Sequence, residues 1–302
     1  MHVIALAAVL LGLHGDPARF QNQTGQQTQI VHTFVSFAQT NSLAKVAANS
    51  GPVPMLALNT GSYGSSETAT PRGIALGQND AFLIRLNGVV NDFQGTRFYV
   101  RPFPEMNAWW ESNSAYNRDG TPRGGAYTTA WNRKALARIA VILRGGVQAD
   151  VNAKLSQLGL PGIHQDLAVT TPKLRIVWNP QGFGAPDVAG NSAQAYYPGD
   201  GYVDVVGDDL YDIRGHGATW AAAETMYKAH PGKPFAVPEW GLWGFDDPQF
   251  VRDMAKWVRT HRRTEFIAYF AGKPGSVFDL ATKPASRAAY RSLITPLGAS
   301  GQ

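Results

Sequence analysis

Apolar positions along this chain alternate between two textures. Short continuous runs, rich in β-branched and aromatic residues, fall at 5–11, 30–34, 53–58, 97–103, 174–178, 203–206, 235–238 and 266–270. Runs of that length, bounded by glycine, proline and polar clusters, read as strands buried on both faces. Between them the spacing changes to three and four. Residues 78–91 repeat Phe82, Leu83, Leu86, Val89 and Val90, and 129–143 repeat Leu136, Ile139, Ala140 and Leu143. The stretches 220–228, 248–258 and 285–293 look similar, as expected of helices that bury one face. Eight buried strands with interleaved helices predict an α/β fold, a (β/α)8 TIM barrel forming one domain over 1–302. A helix after the second strand has to fit within 35–48. The long stretch between the fourth and fifth strands exceeds what one helix needs, so loop excursions are expected at 113–127 and 159–172. No period of 20–50 residues repeats.

The first apolar run, 3–13, admits two readings. It could be the hydrophobic region of a signal peptide, or a first buried strand. No basic segment precedes it, and His14, Gly15, Asp16 and Pro17 read as a turn rather than a cleavage site. It is also too short to span a bilayer. The strand reading is preferred, with any export signal expected upstream and the protein expected to be secreted.

Composition narrows the chemistry. Hydrophobic residues make up 44% and charged residues 16%, enough for a sizeable core and too apolar for bulk disorder. The net charge of +5 comes without a long basic run, so neither nucleic acid nor a membrane is an expected partner. The densest basic cluster, 259–263, reads as the solvated end of a helix. Absence of cysteine excludes disulfides, thiolate metal sites and a cysteine nucleophile. His14, His32, His164, His216, His230 and His261 are scattered without ligand spacing, and Gly145-Gly146 is not followed by the Lys-Ser or Lys-Thr of a phosphate loop. No metal and no cofactor are expected. Eight Trp and eleven Tyr, several of them in predicted loops, suit stacking against sugar faces.

Two strings carry candidate chemistry. Arg-Pro-Phe-Pro-Glu-Met-Asn-Ala-Trp-Trp (101–110) and Phe-Ala-Val-Pro-Glu-Trp-Gly (235–241) each place one carboxylate, Glu105 or Glu239, where a strand gives way to a Trp- and Gly-rich loop. On parallel barrel strands both would lie at the C-terminal rim, where such barrels keep their chemistry. Two carboxylates across a sugar cleft are the working parts of a glycosidase. Arg101, four residues before Glu105, would share a face with it on an extended strand. It could hold a carboxylate ionised, or be a buried arginine paired with an acid such as Asp209.

At these residues the chain resembles the family 26 glycoside hydrolases, the β-mannanase family of the retaining barrel clan. Residues 101–110 are similar to that family's Arg-Pro-x-His-Glu-Met-Asn-Gly-x-Trp segment on strand four, and 235–241 to its nucleophile segment on strand seven. Val177-Trp178-Asn179-Pro180 resembles the end of strand five. Tyr196-Tyr197-Pro198-Gly199-Asp200 with the block 203–211 resembles the Tyr-Pro-Gly-Asp…Val-Asp-x-x-Gly-x-Asp-x-Tyr pattern of strand six.

The resemblance implies Glu105 as general acid and base, Glu239 as nucleophile and Tyr211 as a hydroxyl donor orienting that nucleophile, although Tyr211 could instead be a barrel-layer residue. It implies sugar contacts from Arg101 and Asn107. Trp109, Trp110, Trp178, Trp240 and Trp243 are candidates for stacking, with some of them expected to pack under loops. It implies a monomer acting on a polysaccharide or oligosaccharide. One departure stands out: Pro104 occupies the place of the family histidine before the acid, so reading of the sugar 2-hydroxyl changes. β-Mannan is the favoured substrate. β-Glucan, β-xylan or a bacterial exopolysaccharide, or a non-catalytic sugar-binding barrel, are the alternatives.

Overall fold

Nine parallel strands and nine α-helices alternate through the part of the chain that the computed structural model describes, residues 9–61, 67–213 and 219–298. The strands are β1 (Leu10–His14), β2 (Ile30–Ser36), β3 (Val53–Asn59), β4 (Phe98–Pro102), β5 (Leu174–Trp178), β6 (Val205–Gly207), β7 (Leu210–Asp212), β8 (Phe235–Leu242) and β9 (Thr264–Phe270). Their order is β6-β5-β4-β3-β2-β1-β9-β8-β7. The expected sixth strand is two short pieces, β6 and β7, interrupted at Asp208 and Asp209, so eight strand positions remain. The fold is a (β/α)8 barrel.

Two compact units divide the chain: Thr33–Val206, and Met1–His32 with Gly207–Gln302. In the first, β3, β4, β5 and β6 pair in sequence, with registers such as Ala57↔Arg101, Val100↔Ile176 and Trp178↔Val206. Every residue of β4 is buried, which is why that run shows no polar alternation. Its helices are α2 (Leu43–Ala48), α3 (Pro71–Ala75), α4 (Asp80–Asp92), α5 (Thr129–Arg144) and α6 (Gln148–Gln157). The Thr128 side chain caps α5 by accepting from the Trp131 N–H. The sequence reading missed α6, because only Val151 and Leu155 face inward and two apolar residues make no visible period.

In the second unit β1 pairs with β2 on one side and β9 on the other, and β9 continues to β8 and β7. Most of the expected first strand, 5–11, lies outside the described residues. The strand that is described runs on through His14, which was expected in a turn. His14 pairs with Phe270 and stacks on its ring at 4.5 Å, so a polar side chain does not end the strand. Gly12 permits the approach: a Cβ there would come within 2.7 Å of the Ala268 Cβ. Helix α1 (Pro17–Thr24) begins immediately afterwards. Asp16 caps it, Pro17 opens it and left-handed Gly25 closes it. These are strong end signals around a helix that buries only Phe20 and Thr24, so its interior gave no period.

Helices α7 (Trp220–Ala229), α8 (Pro248–Thr260) and α9 (Pro284–Leu293) match the spacing that predicted them. α8 buries Phe250, Val251, Met254, Ala255 and Val258 on one face and is capped by Asp247. Arg259 in its last turn and Arg262 just beyond are exposed, as expected. Arg263 is not a solvated charge. Its guanidinium lies 3.7 Å from the Tyr227 ring centroid and donates to the carbonyls of Tyr227, His230 and Lys233.

Candidate active site

In the unit Thr33–Val206, strand β4 ends at Pro102 and the chain turns sharply. Phe103 and Glu105 both have φ of +52°, the only non-glycine residues with positive φ among those described. Left-handed backbone disfavours side chains with a Cβ, at roughly 1–2 kcal/mol per residue. Three backbone bonds hold it: Phe103 N–H to the Leu58 carbonyl (3.0 Å), Glu105 N–H to the Asn179 carbonyl (2.9 Å), and Ala108 N–H to the Glu105 carbonyl (2.8 Å). Strain maintained in this way concentrates at functional positions.

The turn overturns the expected geometry of Arg101. Because the chain is no longer extended at Glu105, the rule that residues four apart share a face does not apply. Arg101 is wholly buried, with Nε donating to Asn179 Oδ1 at 2.5 Å. Its buried side chain has no surface to offer a sugar.

Both oxygens of Glu105 accept hydrogen bonds. Trp110 Nε1 donates to Oε2 and Gln181 Nε2 to Oε1, each at 2.5 Å. The backbones carrying these donors are themselves fixed. Arg123 donates to the carbonyls of Trp109 (2.6 Å), Glu111 (2.9 Å) and Ser112 (2.9 Å), bracketing Trp110. Asn107 does the equivalent for Gln181. Its Oδ1 accepts from the Gln181 N–H (2.7 Å), and its Nδ2 donates to the carbonyls of Gln181 (2.9 Å) and Phe183 (3.1 Å).

Asn191 returns the contact by donating to the Asn107 carbonyl at 2.7 Å, and Tyr196 Oη donates to Asn191 Oδ1. Burial pushes the Tyr196 phenol up to about 12, so it stays a donor at ordinary pH. Asn107 is therefore fully buried and engaged with backbone, not placed to touch a sugar as the resemblance implied. Trp109 and Trp110 are half-buried and edge-on to each other, and the Arg118 guanidinium lies 4.9 Å from the Trp109 ring centroid.

The second unit holds Glu239, near the C-terminal end of β8 and 7% exposed. Tyr211 Oη on β7 donates to Glu239 Oε2 at 2.6 Å. The Tyr211 ring packs against Phe278 (5.6 Å), Trp243 (5.9 Å) and Phe270 (6.2 Å). His32 Nε2 lies 4.0 Å from Glu239 Oε1, and His14 Nδ1 donates to the His32 carbonyl at 3.0 Å.

Neighbouring strand residues face opposite ways, so Trp240 turns from Glu239 toward the helices. It is wholly buried and stacks on Tyr290 of α9 at 5.5 Å and 5° between planes. Trp178 is also wholly buried, edge-on to Tyr197 at 4.7 Å. Neither has a free face for a sugar, which corrects the expectation for both. Trp243, 45% exposed beside Tyr211, keeps that possibility.

Sequence reasoning missed Gln181 altogether. The motif on strand five was read only as far as Pro180, one residue short. Its position just past a strand end was the available signal. Among the described residues no cluster of three or more His, Asp or Glu could hold a metal ion.

No protein-family model and no curated protein matches the chain. Solved structures do. The chain is similar to the catalytic domain of the GH26 endo-β-1,4-mannanase of Bacillus sp. JAMB-750, with a TM-score of 0.61 at 14% identity over 97% of this chain and 87% of that one. Bacillus subtilis mannanase BCman aligns with a TM-score of 0.55 at 17% identity, over 95% and 85% of the two chains. A β-mannanase from a symbiotic protist of the termite Reticulitermes speratus, complexed with gluco-manno-oligosaccharide, gives 0.57 at 16% identity over 96% and 87%. The likeness is one of fold.

Proposed function

We propose that the protein is a retaining, endo-acting glycoside hydrolase cleaving a β-linked polysaccharide, with β-mannan as the favoured substrate. Glu239 is the nucleophile and Glu105 the general acid and base. The observation that carries the reading is the hydrogen bond from Tyr211 to a nearly buried Glu239 at a strand's C-terminal end. A hydroxyl donor fixes one carboxylate oxygen and leaves the other to attack carbon. The strained, doubly hydrogen-bonded Glu105 and the β-mannanases of the same fold add support.

In the first step Glu239 attacks the anomeric carbon while the glycosidic C–O bond breaks and the leaving oxygen takes the Glu105 proton. A covalent glycosyl-enzyme results. In the second step Glu105, now ionised, removes a proton from water, whose oxygen attacks the anomeric carbon and releases Glu239. Two displacements retain the configuration. The substrate is a polymer too large to enter a cell, so we propose that the enzyme is secreted; we propose also that it acts as a monomer. No helix among the described residues is long and apolar enough to cross a membrane.

A second reading, weak discrimination between manno- and gluco-configured sugars, is favoured by Pro104. It is buried where the resembling family carries histidine, and it offers neither an N–H nor a side-chain donor to a 2-hydroxyl. One experiment addresses both. Release of reducing ends is followed on β-mannan, glucomannan, β-glucan and xylan, with product anomers read by proton NMR. Retention on mannan, abolished by Glu239→Ala, is expected. Pro104→His should sharpen the preference for mannose. Inversion, or full activity in Glu239→Ala, would refute the assignment.

A further inference from the structure

Glu105 has to alternate between two charge states, giving a proton in one step and taking one in the next. The groups that hold it should then tolerate both states. An arginine or lysine would favour the ionised form strongly. The two donors described on Glu105, Trp110 and Gln181, are both neutral, so neither imposes a charge state as a cation would.

We infer that Gln181 is a positioning residue that partners Glu105 through both halves of the reaction. It donates through Nε2 to Oε1 of the carboxylate. When the carboxyl is protonated, its hydrogen stays directed at the leaving oxygen and the amide keeps donating to a lone pair of Oε1. Trp110 fixes Oε2 throughout. No electrons or atoms move to Gln181 beyond this hydrogen bond.

Three features of its setting make Gln181 a purpose-held group and not a chance neighbour. Its residue is 5% exposed. Its N–H and its carbonyl are both bonded by the amide of Asn107, two residues after Glu105 in the same turn. A parallel bridge between Ala108 and Ala185, with the Trp109 N–H donating to the Ala185 carbonyl at 2.6 Å, ties the same two loops together a few residues on. The segment that carries the acid thus also sets the position of its partner.

The inference rests on Glu105 being the acid and base, so the test carries its own control for that assignment. Gln181→Met keeps the length of the side chain and removes both donor and acceptor. Three rates are compared between wild type and variant: kcat/KM on mannohexaose, which needs the acid; kcat/KM on a dinitrophenyl β-mannobioside, whose leaving group needs no proton; and kcat on that glycoside with and without azide, which needs no base. Loss of a hydrogen bond to a charged group predicts about a ten- to hundredfold fall on mannohexaose. The aryl glycoside kcat/KM should change no more than about threefold, and azide should restore the lost turnover.

A structural role alone would lower all three together, and that uniform loss overturns the inference, as does no loss at all. If the methionine variant does not fold, Gln181→Glu decides. Its neutral carboxyl can donate, so activity on mannohexaose should survive at low pH and collapse as pH rises and two carboxylates repel. An unchanged pH profile overturns the inference. Glu105→Ala run alongside should spare only the aryl glycoside kcat/KM. If it spares mannohexaose as well, the assignment of Glu105 fails, a result distinct from failure at Gln181.

Discussion

Replacing Asn107 by alanine separates a clamp from a sugar ligand. The side chain makes three well-formed bonds, at 2.7, 2.9 and 3.1 Å, to the N–H and carbonyl of Gln181 and the carbonyl of Phe183. A fourth, to the Asn191 carbonyl at 3.4 Å, is too long to count for much. Each of the three is worth about 1 kcal/mol net, and a buried group left without a partner costs about 1–3 kcal/mol. Gln181 is buried and both its backbone groups lose their partner, while Phe183 is 40% exposed and regains water. The expected loss is about 3 kcal/mol of unfolding free energy.

Urea unfolding followed by tryptophan fluorescence measures it. Asn107→Asp should be worse, since it keeps the acceptor for the Gln181 N–H but sets a carboxylate against carbonyl oxygens in a site without solvent. A sugar ligand would behave otherwise, with KM rising and stability unchanged. A loss below about 1 kcal/mol together with a raised KM would refute the clamp.

Other expectations follow from the same geometry. Tyr211→Phe removes the donor to Glu239 and should slow the first step by about ten- to hundredfold, read as the pre-steady-state burst on an activated aryl glycoside; a change within twofold would remove the tyrosine from the mechanism. Trp240→Ala should lower stability by about 3–5 kcal/mol through the cavity left against Tyr290. Trp243→Ala should instead cost under about 1 kcal/mol and raise KM, so a reversed pattern in chemical denaturation and kinetics would refute the division between core and rim. Burial alone would raise the Asp279 carboxyl, but the N–H groups of Gly275 and Ala281 and the Arg19 guanidinium outweigh it and hold it below its ordinary value of 3.8. A depressed acid stabilises the fold above its ordinary range, and that contribution is lost as pH falls through the lowered value. Asp279→Asn should therefore flatten the acid limb of the stability curve below pH ~4, and an unchanged limb would count against this.

Buried parallel strands announce themselves in sequence, and β3, β5 and β8 begin where their apolar runs do. Where burial is thin the signal fails. α1 and α6 each bury two residues; α1 still has clear ends in Asp16, Pro17 and Gly25, whereas α6 starts after Val147 with no side-chain cap. The two carboxylates stood out as candidates because motif and strand end coincide. Trp240 was a misreading the sequence could have prevented: it follows Glu239 directly on a strand, so the two must face opposite layers. Asn107 and Gln181 were not readable in that way. An asparagine that bonds the backbone of a loop some seventy residues away leaves no local pattern, and only the folded register brings the two turns together.

The left-handed backbone at Phe103 and Glu105 also sets a direction of decay. Glycine or asparagine would occupy φ of +52° at lower cost than glutamate. Selection for folding alone therefore works against the acid at this position, and only its chemistry retains it. Glu239, within a strand, carries no backbone strain, but its burial works against a carboxylate as well. In a lineage released from hydrolysis, residue 105 should drift toward glycine or asparagine and residue 239 toward an uncharged side chain. Sugar-binding descendants of this fold would then be recognised by what replaces each carboxylate.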